Sequence, residues 1–132
     1  MLLTILDVAR SKILISSAGH PPLVICGQNA RFLEAPHGMP LGAMRSSYSE
    51  GEFDLRPGET MVLYTDGLIE AKRGTDLFGE ERLLDTLGGQ KWADVQQMVE
   101  TLVATATEHA GGRLADDLAV IAVQLPAPPG GR

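Results

Sequence analysis

One cysteine, Cys26, is the only thiol in these 132 residues. A lone thiol closes no internal disulfide, which points to a reducing, cytoplasmic setting. Basic residues are also in deficit: 11 Lys and Arg face 17 Asp and Glu, for a net charge of −6. An acidic chain without a basic run is poorly suited to gripping nucleic acid through its phosphates. No apolar run approaches the roughly 20 residues that span a bilayer. The opening Met1-Leu2-Leu3-Thr4-Ile5-Leu6-Asp7 has neither a basic leader nor a small-residue cleavage site, so it reads as a strand rather than a secretion signal. A glycine-rich phosphate loop ending in Lys-Ser or Lys-Thr is missing as well, which argues against a nucleotide-binding domain. With 44% hydrophobic and 21% charged residues, the composition is that of one folded domain, not of a disordered chain.

The first third is patterned for short strands and tight turns. Leu2–Val8 and Ile13–Ser17 flank a polar break of hairpin length. Leu23–Cys26 and Arg31–Glu34 flank Gly27-Gln28-Asn29, and Ser47–Leu55 alternates weakly. Segments this short and closely joined are expected to pair antiparallel. Arg56-Pro57-Gly58-Glu59 has the Pro-Gly pair of a type II turn. Thr60–Thr65 and Leu118–Leu125 are nearly continuous apolar runs, which predicts two central strands. Between them, Phe78–Leu84 opens a helix, with Phe78 and Leu83 stapled around a Gly79 cap and a stop at Gly88-Gly89. A second helix carries Val95, Met98, Val99, Leu102, Val103 and Ala106 on one face and ends at Gly111-Gly112. Pro126–Arg132 reads as a tail or linker.

Two acidic positions stand out by where they fall. Asp66 ends one apolar run, and Asp116-Asp117 precede the other. If the two strands are antiparallel neighbours, Asp66 and Asp116 meet at one rim of the sheet. Two carboxylates about 4 Å apart repel by about 4 kcal/mol at an effective dielectric near 20. A hard divalent cation, Mg²⁺ or Mn²⁺, suits such oxygen ligands. The spacing also fits an ordinary Asp-Gly turn and a solvated Asp-Asp loop.

Six motifs in order then carry a resemblance. They are Ser17-Ala18-Gly19-His20-Pro21-Pro22, Gly38-Met39-Pro40-Leu41-Gly42, Leu55-Arg56-Pro57-Gly58-Glu59, Leu63-Tyr64-Thr65-Asp66-Gly67-Leu68-Ile69-Glu70-Ala71, Phe78-Gly79-Glu80-Glu81-Arg82-Leu83 and Asp116-Asp117-Leu118-Ala119-Val120. The set resembles the bacterial metal-dependent protein phosphatases of the sporulation-stage-II-E and RsbU kind, relatives of the type 2C serine/threonine phosphatases. The resemblance implies an α+β fold, part of an αββα sandwich of two antiparallel sheets flanked by helices. It also implies hydrolysis of phosphoserine or phosphothreonine by a water activated at two Mg²⁺ or Mn²⁺ ions. Asp66 and Asp116 match metal aspartates, with Gly67 and Asp117 beside them in the outer layer of the site. The segment holding Ala71, Lys72, Arg73 and Asp76 matches the group's substrate-contacting or regulatory region. The implied partner is a phosphoprotein of the anti-sigma-factor-antagonist type, with neither nucleic acid nor membrane.

The same resemblance defines what is missing. The group's other metal aspartates lie upstream, in a Gly-Asp segment and an Asp-x-x-Gly-x-Gly turn. Before Asp66 this sequence has only Asp7 and Asp54, and neither sits in such a motif. Residues 1–125 are therefore expected to be the C-terminal portion of the domain, with its N-terminal strands missing. Three expectations follow: an incomplete metal site, weak or absent activity of the isolated chain, and self-association through open sheet edges. A non-catalytic binding module on the same fold is the alternative. Among lesser residues, His20 is expected to cap its turn, Cys26 to pack as a small hydrophobe, and Trp92 to pack on the Gly88-Gly89 bend. His37 and His109 are given no role.

Overall fold

The computed structural model describes residues 1–127; most of the expected tail, 128–132, lies outside the described residues. The chain opens with β1 (Leu2–Asp7) and β2 (Lys12–Ala18), an antiparallel hairpin in the predicted place. Beyond β2 lie β5 (His37–Gly38), parallel to its last residues, and β6 (Gly51–Asp54), antiparallel to its first. These strands form the first sheet. The second is fully antiparallel, in the order β10 (Val120–Gln124), β7 (Thr60–Tyr64), β3 (Val24–Cys26), β4 (Ala30–Phe32). A helical turn, α1 (Asp66–Ile69), follows β7 and leads into a small ribbon, β8 (Lys72–Arg73) and β9 (Asp76–Leu77). Helices α2 (Gly79–Gly88) and α3 (Val95–His109) complete the molecule.

The alternation of side chains along β3 and β7 sorts the core into two layers. Ile25 and Met61 point between the sheets, where they meet Ile13, Ile15, Leu23, Leu33, Leu55 and Leu125. Val24, Cys26, Val62 and Tyr64 point the other way, toward Leu83, Leu87, Met98, Leu102 and Ala106 of α2 and α3. β7 is thus covered on both faces, as its apolar run predicts. The layers observed among the described residues are sheet, sheet, helices: three of the four in the αββα scheme. On the outer face of the first sheet, Leu3 and Ile5 stay exposed.

β10 corrects one expectation. Among the described residues it pairs with β7 alone and forms the edge of its sheet, not a centre. Ile121 shares the inward face with its register partner Leu63, yet it is 60% exposed because none of the described residues lies over it. An apolar run reports what a strand's faces are suited to meet. It does not report whether a neighbour lies on both sides.

Local chemistry fixes the turns and helix ends. Gly58 adopts φ +87°, and Glu59 N–H donates to the Arg56 carbonyl at 2.9 Å, the predicted turn. Phe78, not Gly79, occupies the N-cap of α2, and it lies buried with Leu83 in the helix-side core. Trp92 packs against that core and donates to the Leu87 carbonyl at 3.0 Å, at the end of α2 as expected. At the start of α3, Asp94 Oδ1 accepts from Gln97 N–H at 2.8 Å, while Gln97 Oε1 accepts from Ala93 N–H at 2.9 Å. Asp94→Ala removes this cap and is expected to lower stability by about 1 kcal/mol in urea unfolding, with an unchanged m-value.

Cys26 is buried among apolar side chains, and burial pushes its thiol up to about 11. Its raised value means that the folded state holds the proton more tightly than the unfolded state. The corresponding stability is complete below the unfolded thiol's pKa of roughly 8.5 and is lost as pH rises toward 11. At pH 8, iodoacetamide should therefore label Cys26 slowly in the native chain and rapidly in urea, as mass spectrometry would show.

Candidate functional site

The antiparallel pairing of β7 with β10 sets Tyr64 opposite Val120, so the end of one strand lies beside the start of the other. Asp66 and Asp116-Asp117 consequently project from adjacent strand ends, and all three are exposed. Thr65 stitches the two segments together. Its N–H donates to the Ala119 carbonyl at 3.1 Å, and its Oγ1 accepts from Ala119 N–H at 3.0 Å. The same hydroxyl lies 3.5 Å from the Asp117 carbonyl, to which it donates. Nothing in the strand pattern singles out Thr65; its one signal is a hydroxyl placed just before the strand-ending aspartate.

Gly67 fits this approach more closely than a turn glycine would need to. A Cβ built on it would stand 2.1 Å from the Asp117 carbonyl oxygen, so no side chain fits without moving that loop. One Asp116 carboxylate oxygen accepts from Asp117 N–H at 2.8 Å, which fixes the side chain against its own backbone. Beneath the rim, the Tyr64 hydroxyl is buried with no hydrogen-bond partner in the described chain. Burial, and then the negative charges of Glu80 and Asp66, hold this phenol well above its ordinary pKa.

The donors at the rim are carboxylates without sulfur or imidazole, which suits Mg²⁺ or Mn²⁺ better than a transition metal that prefers nitrogen or sulfur. Two carboxylates are a partial set. Among the described residues, no three His, Cys, Asp or Glu side chains stand close enough to hold an ion. The two earlier aspartates are engaged in ion pairs: Asp54 lies 2.6 Å from Lys12 Nζ, and Asp7 faces Arg10 at 3.9 Å.

The remaining motifs gather in two places. β3 runs antiparallel to β7, so the Gly19–Leu23 crossover reaches the second sheet at the end where β7 gives way to Asp66. Gly19 adopts φ +72° with Pro40 packed over it, and its N–H donates to the Gly38 carbonyl, which joins two motifs 19 residues apart in sequence. His20 Nδ1 lies 2.8 Å from the Pro21 carbonyl, the turn-capping role expected of it. In the 71–76 segment, Ala71 is buried, whereas Lys72, Arg73 and Asp76 are exposed. No described helix is long and apolar enough to cross a membrane.

The profile of one protein family, described as Stage II sporulation protein E (SpoIIE), matches residues 1–126. The chain belongs to the SpoIIE family. Among its relatives, the protein IcfG of Synechocystis is 27% identical over 123 residues, which cover 90% of this chain and 19% of IcfG. The SpoIIE phosphatase domain of Bacillus subtilis, solved after a manganese presoak, superimposes with a TM-score of 0.80 at 17% identity, over 100% of this chain and 59% of that one. The RsbU and RsbW domains of Rv1364c from Mycobacterium tuberculosis match with a TM-score of 0.79 at 23% identity, over 98% of this chain and 36% of that one. This SpoIIE-family chain therefore has the fold of a PP2C-type phosphatase domain, and it spans about three-fifths of the solved Bacillus domain.

Proposed function

We propose that this chain is the C-terminal part of a metal-dependent serine/threonine protein phosphatase, and that Asp66 and Asp116 are two ligands of its Mg²⁺ or Mn²⁺ centre. The observation that carries the reading is the pairing of β7 with β10, which brings the ends bearing those two aspartates side by side. The manganese presoak of the Bacillus relative supports a divalent ion. Asp66 and Asp116 would bind the ion through carboxylate oxygen, while Gly67 permits the close approach and Asp117 supports the loop from behind. When bound, such an ion polarises a phosphate ester and acidifies water for attack on phosphorus. The chain's own part is to hold two negative charges at a rim open to solvent, where a phosphorylated side chain of another protein can reach them.

The substrate class we infer is a phosphoserine or phosphothreonine on a regulatory protein of the anti-sigma-factor-antagonist type. An RsbU domain together with an RsbW domain in the mycobacterial relative supports such a partner. The ligand set in this chain is incomplete, so the chain alone should turn over little or no phosphopeptide in Mn²⁺. Among the described residues the edges at β1 and β10 are uncovered and Leu3, Ile5 and Ile121 are exposed, which should make the chain self-associate. Ordinary turnover in a phosphopeptide assay would overturn the first expectation. A monomer by sedimentation velocity at high concentration would overturn the second.

One observation favours the alternative, a non-catalytic binding module: no three potential ligands cluster among the described residues. Mn²⁺ titration of a protein that carries the complete phosphatase domain distinguishes the two readings. A metal-ligand role requires Asp66→Asn to weaken binding, whereas a binding module predicts no change.

A further inference from the structure

The base of the β8–β9 ribbon carries a cross-linked set of charged side chains that the metal site does not use. Asp76 of β9 receives both arms of Arg82 from α2, Nη1 to Oδ1 at 3.2 Å and Nη2 to Oδ2 at 3.1 Å. The same guanidinium donates to the carbonyls of Leu77 and Phe78. From α3, His109 Nε2 lies 2.9 Å from the Asp76 carbonyl oxygen and 3.8 Å from its carboxylate. A carbonyl only accepts, so Nε2 carries the proton. The His109 ring also meets Phe78 edge-on, with centroids 5.9 Å apart. Arg73 of β8 reaches the other way and donates to the Glu108 carbonyl at 3.2 Å. Phe78 N–H to the Ala71 carbonyl, at 2.6 Å, closes the ribbon at its base.

A ribbon with two residues per strand does not stay folded by itself. Instead α2 and α3 hold it, and both ends of the arrangement lead to the acidic rim. Ala71 follows α1, whose first residue is Asp66. His109 ends α3, and the loop after it leads to Asp116. We propose that Arg82 and His109 are positioning residues: by latching the ribbon through Asp76, they hold the α1 turn that carries Asp66 against the loop that carries Asp116. The consequence for metal binding rests on the phosphatase reading; the mechanical coupling does not.

Hydrogen exchange on the full chain tests the coupling. The reporters are the amides of Thr65, Glu70 and Ala119, bonded to the Ala119 carbonyl, the Asp66 carbonyl and Thr65 Oγ1. In His109→Ala and Arg82→Ala, these amides should exchange about tenfold faster or more, while the Ile13 and Ile15 amides of the first sheet stay unchanged. His109→Gln, whose side-chain amide can donate to the same carbonyl, should restore most of the protection. If His109→Ala fails to fold, Asp76→Asn gives the same readout. Acceleration confined to residues 72–78, or spread evenly over the chain, would overturn the inference. Mn²⁺ titration of the same variants, placed in a protein that carries the complete phosphatase domain, separates it from the phosphatase reading. Weaker binding in Asp66→Asn but not in the latch variants sinks the latch's role in the site. Unchanged binding in Asp66→Asn sinks the metal reading, and the exchange data still decide the coupling.

Discussion

Asp66→Asn, placed in a protein that carries the complete phosphatase domain, is expected to reduce Mn²⁺-dependent phosphopeptide hydrolysis by about 100-fold or more, and Asp116→Asn should do the same. Even residues that only support metal ligands typically cost 10–100-fold when mutated, so loss of a ligand should reach at least the upper end of that range. The double variant should be scarcely worse than either single one, because the two side chains would serve one site. Stability should move differently. Without metal, each substitution removes one of three like charges from the same rim, so the melting temperature should stay level or rise slightly. A variant that loses activity and unfolds early would identify Asp66 as a structural residue. Unaltered turnover in either single variant would remove that aspartate from the site.

Gly67→Ala should cost more stability than any other glycine-to-alanine change among the described residues. Its Cβ would meet the Asp117 carbonyl oxygen at 2.1 Å and the carbonyl carbon at 3.0 Å. Both are backbone atoms, so no side-chain rotation relieves the clash and the 116–118 loop must shift. Overpacking typically costs about 1–3 kcal/mol, and a clash with backbone belongs at or above the top of that range. Gly58→Ala is the natural control. Gly58 sits at φ +87° with nothing within 4 Å of the added carbon, so only the left-handed backbone penalty of about 1–2 kcal/mol applies. Urea unfolding of the two variants should rank them in that order. Mn²⁺ affinity should fall for Gly67→Ala alone, because only that substitution displaces Asp116.

Where structure is set by neighbours in sequence, the sequence is informative. The β1–β2 hairpin, the Pro57-Gly58 turn, the two-faced burial of β7 and the stripe of Met98, Leu102 and Ala106 all follow from local spacing. The adjacency of the strand ends next to Asp66 and Asp116 was legible too, because it needs only two strands to be antiparallel neighbours. The edge position of β10 was not legible, since its composition is that of a covered strand. Nor was the Asp76–Arg82–His109 network. Asp76 and His109 are 33 residues apart, and a single hydrogen bond between two such polar residues leaves no periodic trace. In sequence, His109 is therefore one more residue on a helix surface. The orphaned Tyr64 hydroxyl is hidden for a related reason: a tyrosine in an apolar strand gives no sign of whether its oxygen will find a partner.

The pairing of β10 with β7 also bears on biosynthesis. Tyr64 and Val120 are 56 positions apart, and long-range pairings of this kind are slow to form. On the ribosome, the first sheet and the β3–β4 hairpin can assemble before α3 and β10 have been made. Val62 and Tyr64, however, wait for their last partner until residues 120–124 emerge. Asp116 comes out just ahead of that strand, so the acidic rim is completed only once residues 116–124 have been made. A nascent chain stopped short of it would present β7 as a bare edge, the species that a chaperone would be expected to hold.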